Sequence, residues 1–386
     1  MYNNIKKIVS YSVLFVVLIL LSTDITLAQT GISFSWYIIR DDNAFKSRSE
    51  YEEMINTASL FISRAYSAEK YSLQAFYGAD ISTFNKYDDQ QNHAQQFGLL
   101  SRIISGNFNT DIGFYSQLRR NDAKYIYYNT NMYNFYIKTI YEPDWDQIYT
   151  FGLNYSKNEF NEFENLDNTT YRFYGKYQRF FQSRLSISGE SGLGVRNYIN
   201  QKTYNFYGYT GVFMRVPRYT EEPVNAIQLS ADVNIGKSIT DRTGVNIGLG
   251  GTRYIGDPIE SYSNGIYYYT ENDLYDDPFS YENKYVSAYL TRQFAVGFQG
   301  KIGTAFHDKD YAGTPALSET GELTGENRRD TRNEYSFLLS KKFNPEWRFP
   351  VAVDVVFRFL IRRNNSNDPY YDFTDHLGIF GVTVSK

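Results

Sequence analysis

The sequence predicts an all-β protein, a single antiparallel transmembrane β-barrel of about 16 strands, within a range of roughly 14 to 18. Three observations carry this. The chain holds 38 Tyr and 29 Phe, yet its mean hydropathy is −0.49. Beyond Ala28 there is no apolar run of about 18 residues that could cross a bilayer as a helix. Segments of roughly ten residues recur in which apolar and polar side chains alternate. A membrane barrel needs this combination: apolar residues towards lipid, polar residues in the lumen, and aromatic girdles at both interfaces. A soluble sandwich of this length would divide into domains joined by linkers, and no Pro/Gly/Ser linker is visible. A closed barrel leaves no backbone edge unpaired, so one long meander can remain a single unit.

Residues 1–28 read as a secretory signal peptide, with the barrel over 29–386. Lys6 and Lys7 form the positive segment, Val13–Leu21 the apolar one, and Thr26-Leu27-Ala28 a small-residue cleavage site. The chain has no cysteine, which excludes a disulfide framework and lipid attachment through a cysteine. The net charge of −4 offers no footprint for nucleic acid.

The strand segments follow in order. Gly31–Ile39, Ile55–Tyr66, Tyr71–Phe84, Ala94–Ile104, Thr110–Leu118 and Tyr125–Ile140 come first. Gln147–Lys157, Thr169–Phe180, Leu185–Tyr198 and Thr203–Val216 come next. Ala226–Gly236 is the clearest: Ile227, Leu229, Ala231, Val233 and Ile235 alternate with Gln228, Ser230, Asp232 and Asn234. The pattern resumes over Val245–Gly250, predicting a hairpin. Tyr285–Thr291, Val296–Phe306, Arg332–Lys342, Phe349–Arg362 and Asp372–Ser385 complete the set. The last segment is expected to close the barrel against Gly31–Ile39, with Phe380, Val382 and Val384 towards lipid. Connections at 291–294 and 342–347 are short, whereas Ile255–Asn283 and His307–Asp330 read as long polar outer loops. Strand parity fails at one place. With Lys237–Thr243 as a periplasmic turn, the tight turn at Gln182–Arg184 falls on the opposite side, so the count between Leu185 and Val224 is off by one.

Candidate chemistry is sparse. Asp273, Asp276 and Asp277 lie in an acidic loop segment, "ENDLYDD", and are candidate Ca²⁺ ligands, although their spacing is not that of an EF-hand. Such a loop would also bridge to lipopolysaccharide through divalent ions. No cofactor is expected. A barrel lipase would need a Ser and a His two residues apart on one strand face, but Asn364 stands two before Ser366. Asp375 and His376 are adjacent and so face opposite ways. Charges on strand faces are costly against lipid and tolerable in a wet lumen. Arg172, Lys176, Arg184, Glu190, Arg196 and Asp232 are therefore the pore-lining candidates. They carry both signs, which predicts no strong ion selectivity.

Four segments of the last third carry a resemblance: "GKSITDRTGVNIGL" (236–249), "ENDLYDDPFSYE" (271–282), "GENRRDTRNEYSF" (325–337) and "RRNNSNDPYYDF" (362–373). They resemble a poorly characterised bacterial outer-membrane β-barrel family, similar to the barrel halves of exopolysaccharide-export and surface-lipoprotein-assembly proteins. The resemblance implies a multi-pass barrel in the outer membrane of a Gram-negative cell. Relatives of that kind often carry helical repeats ahead of the barrel, and none is seen here. Barrels of this class resemble one another in ending on an aromatic residue, whereas this chain ends on Lys386. "NNSNDP" supplies turn-formers for an outer hairpin. A sharper alternative has Arg328, Arg329 and Asp330 pairing with Asp368 or Asp372 to pin adjacent loops.

The expected function is a porin-like, passive conduit for small solutes, without catalysis. The alternatives are an export or assembly barrel for polysaccharide or surface lipoproteins, and a structural or adhesive surface barrel. Expected partners are outer-membrane lipid and lipopolysaccharide, the barrel-assembly machinery and, in the export reading, a periplasmic repeat protein.

Overall fold

A computed structural model describes residues 28–44, 48, 51–87, 90–122, 125–126, 129–162, 167–198, 202–209, 212–219, 224–255, 278–343 and 351–386. The predicted signal segment, apart from Ala28, lies outside them. The strands are β1 (Ala28–Asp41), β2 (Glu53–Ser67), β3 (Tyr71–Phe84), β4 (Asn92–Ser105), β5 (Phe108–Asn121) and β6 (Thr130–Asp144). Then come β7 (Gln147–Phe160), β8 (Asn168–Phe180), β9 (Leu185–Tyr198), β10 (Lys202–Tyr209), β11 (Val212–Tyr219) and β12 (Val224–Thr240). Last are β13 (Thr243–Ile255), β14 (Glu282–Gln293), β15 (Phe298–Leu317), β16 (Leu323–Phe343), β17 (Ala352–Ser366) and β18 (Phe373–Ser385).

All but β10 and β11 form one closed antiparallel barrel of 16 strands. Each bonds its sequence neighbour, except that β9 pairs directly with β12. The barrel closes where Ser33–Asp41 of β1 pairs with Ser385–Leu377 of β18. The Lys386 amide donates to the Ile32 carbonyl at 2.9 Å, and Ile32 returns the bond at 3.0 Å.

Alternation sets the two faces. Leu229, Val233 and Ile235 of β12 are 48%, 44% and 40% exposed, while Gln228 is buried. Ile32, Phe34 and Trp36 on β1, and Phe380 and Val384 on β18, share the outer face. A band of exposed large apolar side chains around a closed barrel is what acyl chains solvate. Among the described residues no helix is long and apolar enough to cross a membrane, so the crossing is by strands.

Aromatic rings mark both edges of the band. Near the short turns, Phe108, Tyr141, Tyr149 and Tyr177 form a ladder across β5–β8 with centroids 4.5, 6.1 and 4.9 Å apart. Near the opposite end Tyr155 meets Tyr171 at 5.2 Å. Tyrosine sits at such interfaces because its ring is apolar and its hydroxyl is wet.

Turns at 106–107, 145–146, 181–184 and 241–242 share one end of the barrel, and the longer connections share the other. Three expectations need correction. The segment read as one strand over 203–216 is two, β10 and β11. They pair only with each other, and β9 then runs straight to β12. This removes the parity conflict, since the turns at 181–184 and 241–242 now lie at the same end. Arg184 is not on a strand face. It occupies the turn between β8 and β9 with φ 62°, and its guanidinium pairs with Asp241 in the neighbouring turn. The "loop" His307–Asp330 is mostly strand, because β15 and β16 continue past the membrane band to a turn at 318–322. Outside lipid neither face needs to be apolar, so the alternation that marks a membrane strand disappears there.

Candidate functional site: the barrel lumen

The inward face determines what such a barrel can do, and its rings set the free space. Tyr174 on β8 stands directly opposite Gly152 on β7, and a Cβ on Gly152 would lie 2.2 Å from the ring. The ring therefore lies flat over the glycine, along the wall. Tyr136 covers Gly113 and Tyr289 covers Gly303 in the same way. Phe76 covers Gly98 and stacks on Phe61 at 5.6 Å. A ring laid on a neighbouring backbone gains contact without projecting across the lumen. A barrel of 16 strands is wide enough for an aqueous channel, and these rings lie along its wall.

Charges occur in compensated patches. Asp111 on β5 accepts from Arg102 at 2.6 Å and lies 3.0 Å from Lys138, so β4, β5 and β6 share one carboxylate. Lys176, Glu190 and Asp232 stand in register across β8, β9 and β12. Arg172 reaches Glu190 at 3.1 Å, and Asp232 accepts the Tyr285 hydroxyl. Four of the sequence-derived candidates, Arg172, Lys176, Glu190 and Asp232, are thus neighbours on one inward patch. Arg196 shares that face nearer the long-loop end. Its Nε donates to Thr170 Oγ1 at 2.9 Å, and its guanidinium lies 4.4 Å over the Phe279 ring. Asp273, Asp276 and Asp277 lie outside the described residues.

Two features of the long-loop end rest on contacts between distant segments, the first unread in the sequence and the second read there with other partners. First, the segment before β14 folds inward. Tyr254 donates its hydroxyl to the Phe279 carbonyl at 2.7 Å, and Gln228 donates its amide to the Tyr281 carbonyl at 3.1 Å. Phe279 packs on Ala226, and Lys309 Nζ lies 4.2 Å over the Tyr281 ring. The only local signal is an aromatic pair, Phe279 and Tyr281, directly ahead of a strand.

Second, the "RRD" and "NNSNDPYYD" residues form one buried polar knot. Arg328 lies between the rings of Tyr311 and Tyr371, at 4.0 and 3.4 Å, and forks onto Asp330. The Asn364 amide donates to Asp330 at 3.0 Å and to the Tyr371 carbonyl at 2.7 Å. Asp368 accepts the Leu317 and Tyr370 amides at 3.1 and 3.0 Å. The tip of the β15–β16 hairpin is thereby tied to the β17–β18 loop. Arg328 pairs with Asp330 on its own strand rather than with Asp368 or Asp372, and the tying is done by backbone bonds to Asp368 and Asn367. Burial pushes the Asp368 carboxyl above its ordinary range, against the pull of those two amides and of Arg328.

At the closing seam, Asp41, Asp42 and Asp375 bring carboxylate oxygens within 4.8 Å of one another. Such oxygens could ligate a hard cation. Here Arg362 stands 3.4 Å from Asp375, and Asp42 accepts the His376 amide and meets its Nδ1, both at 2.6 Å. The cluster fastens β1 to β18. The other histidines are far apart in the barrel: His93 faces outward on β4, and His307 faces inward on β15, stacked 5.5 Å from Tyr285.

The architecture has solved counterparts in Pseudomonas aeruginosa. The outer membrane protein OprD is similar at 8% identity, over 94% of each chain, with a TM-score of 0.51. A substituted OccD1 (OprD) gives 9% identity, 94% of this chain, 95% of that chain and a TM-score of 0.50. OccK1 (OpdK) gives 10%, 93%, 99% and 0.47. No family model and no curated protein matches the chain. At these identities the likeness is one of fold: a closed, 16-stranded outer-membrane barrel.

Proposed function

We propose that the protein is a porin-like, passive conduit for small solutes across the outer membrane, acting without catalysis. The observation that carries this is the inner wall. Its rings lie flat on glycines, and its charges pair along the wall instead of meeting across the lumen. The lining at Arg172, Lys176, Glu190 and Asp232 holds two cations and two anions side by side, which supports weak ion selectivity. The purified barrel in a planar bilayer should carry a steady open-channel current with a small reversal potential in a salt gradient. No conductance in repeated insertions would sink the conduit and favour a filled, structural or adhesive barrel.

A second reading, an export or assembly barrel, is favoured by the resemblance of residues 325–337 and 362–373. The knot described above gives those residues an architectural role independent of any cargo. In the export reading, current would appear only after a periplasmic repeat partner is added.

A further inference from the structure

On the outer face of β7–β14 one cross-strand row is small. Gly175, Ser191, Ala231 and Gly251 are in-register neighbours on β8, β9, β12 and β13, with the larger Phe151 of β7 and Lys284 of β14 at its two ends. The row towards the long-loop end is large: Phe173, Leu193, Leu229 and Arg253. The row on the other side holds Tyr177, Gly189, Val233 and Leu249. The small row is therefore the floor of a trough, and two adjoining hollows of about 610 and 810 Å³ lie along it. Three strand steps of about 4.8 Å make the small floor roughly 14 Å long. It slopes, because Lys284 is beside the long-loop end of β14 at Glu282, whereas Phe151 is deep in β7.

Two of the outward glycines, Gly175 and Gly189, differ from those inside. Within the lumen a Cβ on Gly152 or Gly303 would strike a ring of the same chain at 2.2 Å. A Cβ on Gly175 of the floor would meet only the Phe151 ring, at 3.8 Å, and one on Gly189 in the flanking row only the Asp232 carbonyl, at 3.9 Å, whereas one on Gly251 would strike the Asn283 carbonyl at 2.4 Å. Glycine weakens a strand by about 0.5–1 kcal/mol relative to alanine. Among the described residues nothing fills the room left at Gly175 and Gly189.

The head of the trough is cationic. Arg253 and Lys284 are exposed on the outer face, and among the described residues neither has an ion-pair partner. Of the nearby carboxylates, Glu282 accepts the Tyr254 amide at 3.0 Å, and Asp308 faces Lys284 in register without reaching it. Among the described residues these two cations make no ion pair, and above an apolar trough they complement a phosphate carried on acyl chains.

We infer that this trough is a binding site for the phosphorylated glycolipid of the outer leaflet, lipopolysaccharide, with an acyl chain along Gly175–Gly251 and a lipid A phosphate on Arg253 and Lys284. The inference rests on the outer-membrane location and not on the pore. The test uses the full barrel, stripped of lipid in detergent, titrated with lipid A or with phosphatidylglycerol and read by native mass spectrometry. Two variants are compared: Arg253→Ala with Lys284→Ala, and Gly175→Leu with Gly189→Leu. Heat-modifiable gel migration certifies that each is folded, and bilayer conductance is measured in parallel. Wild type should bind lipid A at one site and at least tenfold more tightly than phosphatidylglycerol. Each folded variant should lose at least tenfold in lipid A affinity with conductance unchanged. Equal binding of the two lipids, no lipid A binding by wild type, or full binding by either variant would overturn the site. Absent conductance with these affinities intact would overturn the conduit alone.

Discussion

Gly152 shows how one missing side chain can govern the channel. With a Cβ there, the Tyr174 ring has to leave the wall, and the space open to it is the lumen. Gly152→Val should therefore lower single-channel conductance and destabilise the barrel by about 1–3 kcal/mol in urea unfolding. Gly175→Val, facing out on the next strand, should leave conductance as it was. At Asp368 the sign of a pH effect follows from burial. Its folded pKa is raised, so the folded state holds its proton more tightly than the unfolded chain does. Stability should fall as pH rises from the ordinary carboxylate pKa through the folded one, and Asp368→Asn should flatten that slope in urea titrations. A steeper slope in the variant would contradict the assignment. Charged lumen residues such as Lys176 and Glu190 were legible in sequence because lipid rejects charge on the other strand face. The inward fold of Phe279 was not, because Tyr254 and Gln228, which capture the segment, belong to other strands.

Alternation reports lipid on one side and water on the other, so it finds strands only where both are present. Within the band it located β12, β13 and the closing pair β1–β18, with the ends of β1, β12 and β13 short by two to five residues and those of β18 within one. It missed the outer halves of β15 and β16, where both faces are wet. It also merged β10 and β11, since a hairpin paired only with itself shares the aromatic composition of the strands that cross. That hairpin bonds only to itself, and β9 and β12 pair from Tyr198–Val224 to Leu185–Lys237 without it. Replacing residues 202–219 by a short Gly-Ser join should therefore preserve the barrel, seen as an intact heat-dependent gel shift. Loss of that shift would mean the hairpin is needed for closure.

For the whole molecule, closure follows from the even strand number: antiparallel neighbours let β18 meet β1 with no edge left over. The seam is then held by backbone pairing along its length and by the Asp41–Asp42–His376 cluster at one rim. The resemblance in residues 236–373 identified the kind of object, whereas the solute depends on loop segments that fold by contacts distant in sequence.

The flat rings have an optical consequence. Tyr136, Tyr174 and Tyr289 present one face to water at the depth of the acyl chains, while Tyr141, Tyr149 and Tyr177 look out into lipid. The barrel is thus sleeved by two populations of the same chromophore, one reached from the aqueous bore and the other from the bilayer. Its tyrosine absorbance is a composite of inside and outside.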